Sequence, residues 1–225
     1  MTSYILCDSS SLISFTGSCL ENIIYFLHEK LGVKFLIPPS VLGEAVVRPL
    51  SLKTKAYRFS ALRIKDMVED GVVNVVDVDV MDETESLMQT ANSIFFARGK
   101  PVHLIDLGET EMLAAARSLG VKNILMDERT TRMLMEGPLP FKNHLSKELR
   151  VNIMTKNPNM KKFHDFTKGM EVIRSCDALV VAYENGFFKP FGKLEKDAAE
   201  AALYKIKFSG CSISFDEIEE YVGSF

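Results

Sequence analysis

The chain has 225 residues and a mass of 25.2 kDa; 47% of the residues are hydrophobic and 25% are charged. This is ordinary globular composition in a chain long enough for a sizeable core, and it excludes fibrous repeats and intrinsic disorder. The net charge of −3 excludes a general nucleic-acid coat protein, whose charge would be strongly positive.

Short apolar runs that end on turn-forming residues predict buried strands. They lie at residues 4–7, 33–37, 72–78, 124–126 and 151–154. Stretches with helical spacing lie between them, at 23–31, 62–68 and 112–119. Strands that alternate with helices form crossover units with a mostly parallel sheet. The pattern therefore predicts an α/β fold, with a three-layer α/β/α core over residues 1–155.

The character of the chain changes after residue 155. A polar, turn-rich segment at 156–166 is followed by three predicted helices, at 170–183, 193–208 and 215–222, with no predicted strand. We therefore predict a helical C-terminal extension, residues 156–225, packed on the core.

No targeting or cysteine-based feature is apparent in the sequence. The uncharged runs are shorter than the roughly 20 residues of a membrane span, and the first residues lack a basic stretch before an apolar run. The four cysteines, at positions 7, 19, 176 and 211, show no C-x-x-C spacing, which speaks against a zinc knuckle or a disulfide framework. We expect a cytoplasmic protein.

Acidic residues fall where the ligand crevice of an open parallel sheet lies, at the carboxyl ends of strands. Asp8 closes the first strand, and Glu44 lies one turn into the helix after the second. Glu109 opens the helix that runs to residue 119, and Asp127 closes the strand at 124–126. Four carboxylates at one edge would repel each other unless a cation neutralised them. Mg²⁺ and Mn²⁺ take such oxygen ligands, which predicts a metal-assisted phosphodiester reaction.

Each acid also has a structural alternative. Asp8 and Asp127 are residue types that form turns where strands end. Asp106 and Glu109 have the spacing of a capping box at a helix start. Glu44, like Glu111, fits an acid in a first helical turn that interacts favourably with the helix dipole.

The segments that carry these acids resemble the PIN-domain nucleases, the fold of many type II toxin ribonucleases and RNA-processing endonucleases. The similarity lies in YILCDSSSLI at 4–13, IPPSVLGEAV at 37–46 and GETEMLAAARSLGVKNILMDERT at 108–130. In that family the last two acids are separated by the spacing seen here, since Glu109 and Asp127 are 18 residues apart. The branch that reads G-E-x-E is the most similar, over about residues 1–155.

The resemblance implies a metal-dependent endoribonuclease that acts on single-stranded RNA. Asp8, Glu44, Glu109 and Asp127 would hold one or two Mg²⁺ or Mn²⁺ ions, and a water would attack the phosphate to leave a 5′-phosphate. A homodimer and an antitoxin protein are the partners that the resemblance suggests, whether in a toxin or in an RNA-processing role. The alternative is a non-catalytic PIN-like scaffold that binds RNA or protein.

Substrate contacts are predicted from local charge. Arg129 and Arg132 follow Asp127 closely enough to meet a phosphate, and Ser10 has the chemistry to hydrogen-bond an acid or a phosphate oxygen, with helix capping as its alternative. Basic residues also cluster at 45–65 and 142–174, which suits RNA binding, although a solvated helix face would look the same.

Overall fold

Two sheets organise the computed structural model, which describes residues 3–225. The first sheet contains β1 (Tyr4–Cys7), β2 (Lys34–Ile37), β3 (Val73–Val75), β6 (Asn123–Leu125) and β8 (Glu171–Ile173). Its order is β3-β2-β1-β6-β8, and all neighbouring strands are parallel. The second sheet is antiparallel, ordered β5-β4-β7, and contains β4 (Phe95–Ala97), β5 (Lys100–Pro101) and β7 (Ile153–Thr155).

Helices connect these strands. They are α1 (Ser9–Gly17), α2 (Asn22–Leu31), α3 (Pro39–Leu42), α4 (Arg48–Ser51), α5 (Arg58–Glu69), α6 (Met81–Ala91), α7 (Leu107–Leu119), α8 (Arg129–Glu136), α9 (Pro138–Leu149), α10 (Asn157–Thr167), α11 (Ser175–Glu184), α12 (Glu195–Ser209) and α13 (Phe215–Ser224). A π-helical segment, Gly43–Val47, joins α3 to α4, and a 3₁₀ segment, Lys189–Leu194, precedes α12. Among residues 3–225, no helix has the length and apolar character needed to cross a membrane.

The parallel sheet is covered by helices on both faces. Successive strand residues point to opposite sides, so that Cys7 and Phe35 join one buried cluster while Leu6 joins the other. The first cluster includes α1, α2, α5, α11 and α12; the second includes α6, α7, α9 and α10. The fold is thus mixed α/β, and this arrangement is compatible with the predicted three-layer architecture.

The direction in which the chain builds the parallel sheet reverses between β1 and β6. From β1 the chain adds β2 and then β3 on one side, and later adds β6 and β8 on the other. The backbone N–H of Asp8 donates to the carbonyl of Leu125 at 2.9 Å, which holds these two strand ends together. In open α/β sheets, a crevice for ligands forms at such a switch point.

One prediction about the strands was wrong, and one predicted strand lies in the second sheet. The chain after residue 155 is not purely helical, because β8 pairs with β6 at the sheet edge inside the segment predicted as a helix at 170–183. A three-residue strand is too short to show alternation. The run at 151–154 does lead into a strand, β7, but β7 pairs antiparallel with β4 in the second sheet, because pairing partners are chosen by tertiary packing.

Candidate functional site

Asp8 lies at the end of β1 with its side chain 3% exposed, and it is the N-cap of α1. Its Oδ2 accepts hydrogen bonds from the backbone N–H of Ser10 at 3.2 Å and from the Ser10 hydroxyl at 2.5 Å. The Ser10 hydroxyl oxygen in turn accepts from the backbone N–H of Asp127 at 3.2 Å. Ser10 therefore binds an acid, as one of its two predicted roles requires, and it links the ends of β1 and β6. Substrate contact by Ser10 stays a prediction.

Glu44 is exposed and lies in the π-helical segment between α3 and α4. Within this segment the N–H of Arg48 donates to the carbonyl of Gly43, five residues earlier, and the next residue, Pro49, has no N–H to donate. A single π-helical turn inside a helix is frequent at functional sites. The segment turns Glu44 toward a cleft of about 420 Å³ that Arg48 also lines.

The opposite wall of this cleft is the start of α7. Asp106 and Gly108 line it, and a Cβ built on Gly108 would lie 3.3 Å from Oε2 of Glu44. The absence of a side chain at Gly108 therefore allows the Glu44 carboxylate to lie against α7. The close approach of Glu44 is a geometric reason for a glycine at the first position of the G-E-x-E sequence, Gly108.

Glu109 occupies the third position of α7 and completes the capping box with Asp106. Its Oε2 accepts from the backbone N–H of Asp106 at 3.1 Å. The structural alternative for Glu109 is thus confirmed. In addition to this capping hydrogen bond, the Glu109 carboxylate interacts electrostatically with other acids of the site.

The charges of these acids are coupled. Burial and the negative charge of Glu44 together raise the pKa of Asp8 to about 6, against the lowering effect of the hydrogen bonds from Ser10. Burial likewise raises the pKa of Glu109 to about 7, with additional contributions from the charges of Asp8, Asp106 and Glu128. Asp8 therefore lies within electrostatic range of both Glu44 and Glu109, which come from two other segments.

The Asp127 carboxylate binds α11 and not the other predicted acids. It is 1% exposed, and its Oδ1 and Oδ2 accept from the backbone N–H and hydroxyl of Ser175, at 2.8 and 2.6 Å. Ser175 is the first residue of α11, so Asp127 holds that helix against the end of β6. The structure brings its backbone to Asp8 through Ser10, but its carboxylate is directed toward α11.

The two predicted arginines also differ. Arg129 is exposed at the start of α8, where its side chain is accessible to a phosphate. Arg132 pairs with Glu136 on the same helix, with an Nη1–Oε2 distance of 3.4 Å, and its side chain is only 17% exposed. Arg129 therefore fits the predicted substrate contact better than Arg132.

Several residues of the site were not assigned a definite role from the sequence. Arg48 follows Glu44 by four residues, and this helical spacing is a signal that could have placed both in one cleft. Glu128 caps α8 by accepting from the N–H groups of Thr130 and Thr131, at 2.8 and 2.6 Å. Glu111 accepts from the N–H of Ser40 at 3.1 Å, which ties α7 to α3. No local sequence pattern indicates that Ser175 contacts Asp127, because the two residues are 48 positions apart.

The donor chemistry fits a hard divalent cation, because Asp8, Glu44 and Glu109 offer only carboxylate oxygens. A cation among them would also favour the ionised forms of Asp8 and Glu109, whose pKa values are raised. Within residues 3–225, however, no three His, Cys, Asp or Glu side chains are positioned as a ready-made ligand group. Comparison with protein-family models, curated proteins and solved structures finds no match to this chain.

Proposed function

We propose that the protein is a metal-dependent endoribonuclease with a PIN-like fold, acting on single-stranded RNA. The observation that carries the proposal is the electrostatic coupling of Asp8, Glu44 and Glu109. These acids come from the end of β1, the π-helical segment and the start of α7, and the charges of Glu44 and Glu109 both act on or with Asp8 near the switch point of a parallel sheet. Placing the buried Asp8 carboxylate near the charges of Glu44 and Glu109 costs stability, which is the behaviour expected of a functional site.

Asp8, Glu44 and Glu109 are the proposed ligands for Mg²⁺ or Mn²⁺. When bound, such an ion lowers the pKa of a coordinated water and offsets the charge that develops on the phosphate. Ser10 holds the Asp8 carboxylate in place, and the α7 start holds that of Glu109. Gly108 leaves room for Glu44. Asp127, the fourth predicted ligand, acts in this proposal through Ser175 by fixing the end of β6 beside Asp8.

Arg48 and Arg129 are the proposed phosphate contacts, since both are exposed. Arg48 also lines the cleft between Glu44 and Asp106, called here the acidic cleft. In the basic stretch at 45–65, Arg63 forms an ion pair with Glu21, and Lys65 forms one with Glu69. These pairs favour a structural role for that half of the stretch. Its first half contains the exposed Lys53, Lys55, Tyr57 and Phe59, a combination that suits base stacking and phosphate tracking.

The test is cleavage of labelled single-stranded RNA by the full chain with Mn²⁺, Mg²⁺ or EDTA. We expect cleavage only with metal, products with a 5′-phosphate, and loss of at least about 100-fold in rate for Asp8→Asn and Glu44→Gln. Asp82→Asn, an exposed change on α6, is the matched control. Cleavage that persists in EDTA, or full activity in both site variants, would refute the proposal.

A second candidate function is a PIN-like scaffold that binds RNA or protein without cleaving RNA. It is favoured by the engagement of both Asp127 oxygens with Ser175 and by the lack, in the described part of the chain, of a ready-made ligand group. RNA binding that is unaffected by Asp8→Asn, in a protein without metal-dependent cleavage, would support this function over the first.

A homodimer and an antitoxin protein remain the proposed partners. Exposed aromatic residues near the end of α12 and the start of α13, including Phe208 at 74% and Phe215 at 50% exposure, offer a surface for either. Sedimentation at micromolar concentration tests the homodimer, and a purely monomeric protein would contradict it.

A further inference from the structure

A second pocket adjoins the acidic cleft. Its volume is about 180 Å³, and it lies between the segment that follows β3 and the starts of α3, α6 and α7. Ser40 and Leu107 line both the pocket and the cleft, so the two lie side by side. Pockets that enclose drug-sized ligands have volumes of about 300–1,000 Å³. This pocket is therefore of a size for a single planar ring system.

Two hydroxyl groups of this pocket lack hydrogen-bond partners. Thr84 is 2% exposed, and its buried Oγ1 finds no partner among residues 3–225. The same holds for Oγ of Ser40 within that part of the chain. A buried hydroxyl without a partner costs about 1–3 kcal/mol. A helix can satisfy a threonine through the carbonyl four residues earlier, and Thr84 does not use this option.

The remaining lining determines which chemistry the pocket accepts. Asp79 and Glu111 are hydrogen-bond acceptors, and their negative charge disfavours a phosphate. Met81 and Leu107 line the pocket with side chains that are 63% and 51% exposed, offering apolar surface to the faces of a ring. A planar ring with N–H donors on its edge satisfies both sets of groups.

We propose that this pocket binds a nucleobase of the RNA, guanine in preference to the others, next to the phosphate held at the acidic cleft. The proposal rests on the proposed nuclease function and names a determinant of its sequence preference. The Watson–Crick edge of guanine carries adjacent N–H donors that one carboxylate accepts together, whereas uracil carries a single N–H there. On binding, the side chains of Thr84 and Ser40 rotate so that their hydroxyl oxygens, which are otherwise buried, reach the ring and supply the remaining hydrogen bonds.

Binding is tested without catalysis. Guanosine monophosphate, uridine monophosphate and inorganic phosphate are titrated into the full chain by calorimetry, with Thr84→Val and Glu111→Gln as variants. Thr155→Val is the matched control, because it removes another buried, unpartnered threonine hydroxyl on β7, in the other sheet. Since the Thr84 hydroxyl has no partner, we expect Thr84→Val to fold with unchanged or higher stability.

We expect guanosine monophosphate to bind at least about tenfold more tightly than uridine monophosphate. Thr84→Val and Glu111→Gln should remove most of that difference, and Thr155→Val should preserve it. Equal affinity for both nucleotides, or a preference that survives in both variants, overturns the proposal. Cleavage of RNA without any base preference overturns the pocket assignment alone. Selective guanine binding in a protein that never cleaves RNA supports the pocket and refutes the nuclease.

Discussion

Replacing Asp8 with Asn should stabilise the folded protein above neutral pH while abolishing its proposed activity. The side chain is buried, and its pKa is raised from the ordinary value of 3.8 to about 6. Asn retains a side-chain oxygen that can cap α1 and accept from Ser10, so the substitution removes the charge and preserves these contacts. The variant thus isolates the cost of ionising Asp8.

The size of the effect follows from the raised pKa. At about 1.4 kcal/mol per pKa unit, ionising Asp8 costs about 3 kcal/mol more in the folded chain than in the unfolded one. Because the folded pKa is above the unfolded value, the protonated form contributes stability that is fully present below about pH 4. That contribution is lost as pH rises through about 6. The advantage of Asp8→Asn should therefore grow between pH 4 and 6 and reach about 3 kcal/mol above pH 7.

The assay is urea unfolding of the wild-type protein and Asp8→Asn at several pH values, with Asp82→Asn as the control. Taking the difference between proteins at each pH cancels the titration of groups that both retain. Added Mn²⁺ should raise the unfolding midpoint of the wild type more than that of Asp8→Asn. A difference in stability that does not vary with pH, or a variant less stable than wild type at pH 8, would refute the electrostatic reasoning.

Two further variants probe other contacts. In Gly108→Ala the new Cβ would lie 3.3 Å from Oε2 of Glu44, so we expect Mn²⁺-dependent cleavage to fall about tenfold. Thermal unfolding should show unchanged or slightly higher stability for this variant, because alanine is the better helix former by up to about 1 kcal/mol. In Glu217→Gln, the loss of the Arg174 ion pair and the weaker interaction with the Ser214 N–H should cost about 1 kcal/mol at pH 7, reduced by solvent screening. These contacts lower the pKa of Glu217 to about 2. The stability cost of Glu217→Gln, measured by urea unfolding, should therefore vanish as pH falls from 4.5 toward 2. A cost that persists at pH 2 would contradict this prediction.

The local patterns of the sequence were sufficient for the central strands. The runs at 4–7 and 33–37 and the helix at 112–119 correspond to β1, β2 and part of α7. Each of these has several buried residues or an unambiguous period. The run at 151–154 overlaps β7, but β4, β5 and β8 were not predicted, because strands of two or three residues leave little alternation to detect.

The candidate site was predictable where its geometry is local. The position of an acid at a strand end or a helix start follows from the sequence, and this places Asp8 and Glu109. The direction of a carboxylate depends on its partners, which can be distant: Ser175 turns Asp127 toward α11 from 48 residues away. The room for Glu44 likewise depends on Gly108, from a different helix.

The contribution of β8 and Ser175 to the site has a consequence for synthesis of the chain. When residues 1–155 have left the ribosome, β6 has an unpaired edge and the Asp127 carboxylate has not yet met Ser175. An unpaired strand edge is a site for wrong pairing, and a buried acid without its donors disfavours the native arrangement. The end of β6 beside Asp8 therefore gains its last partners, β8 and Ser175, only after most of the chain has been made.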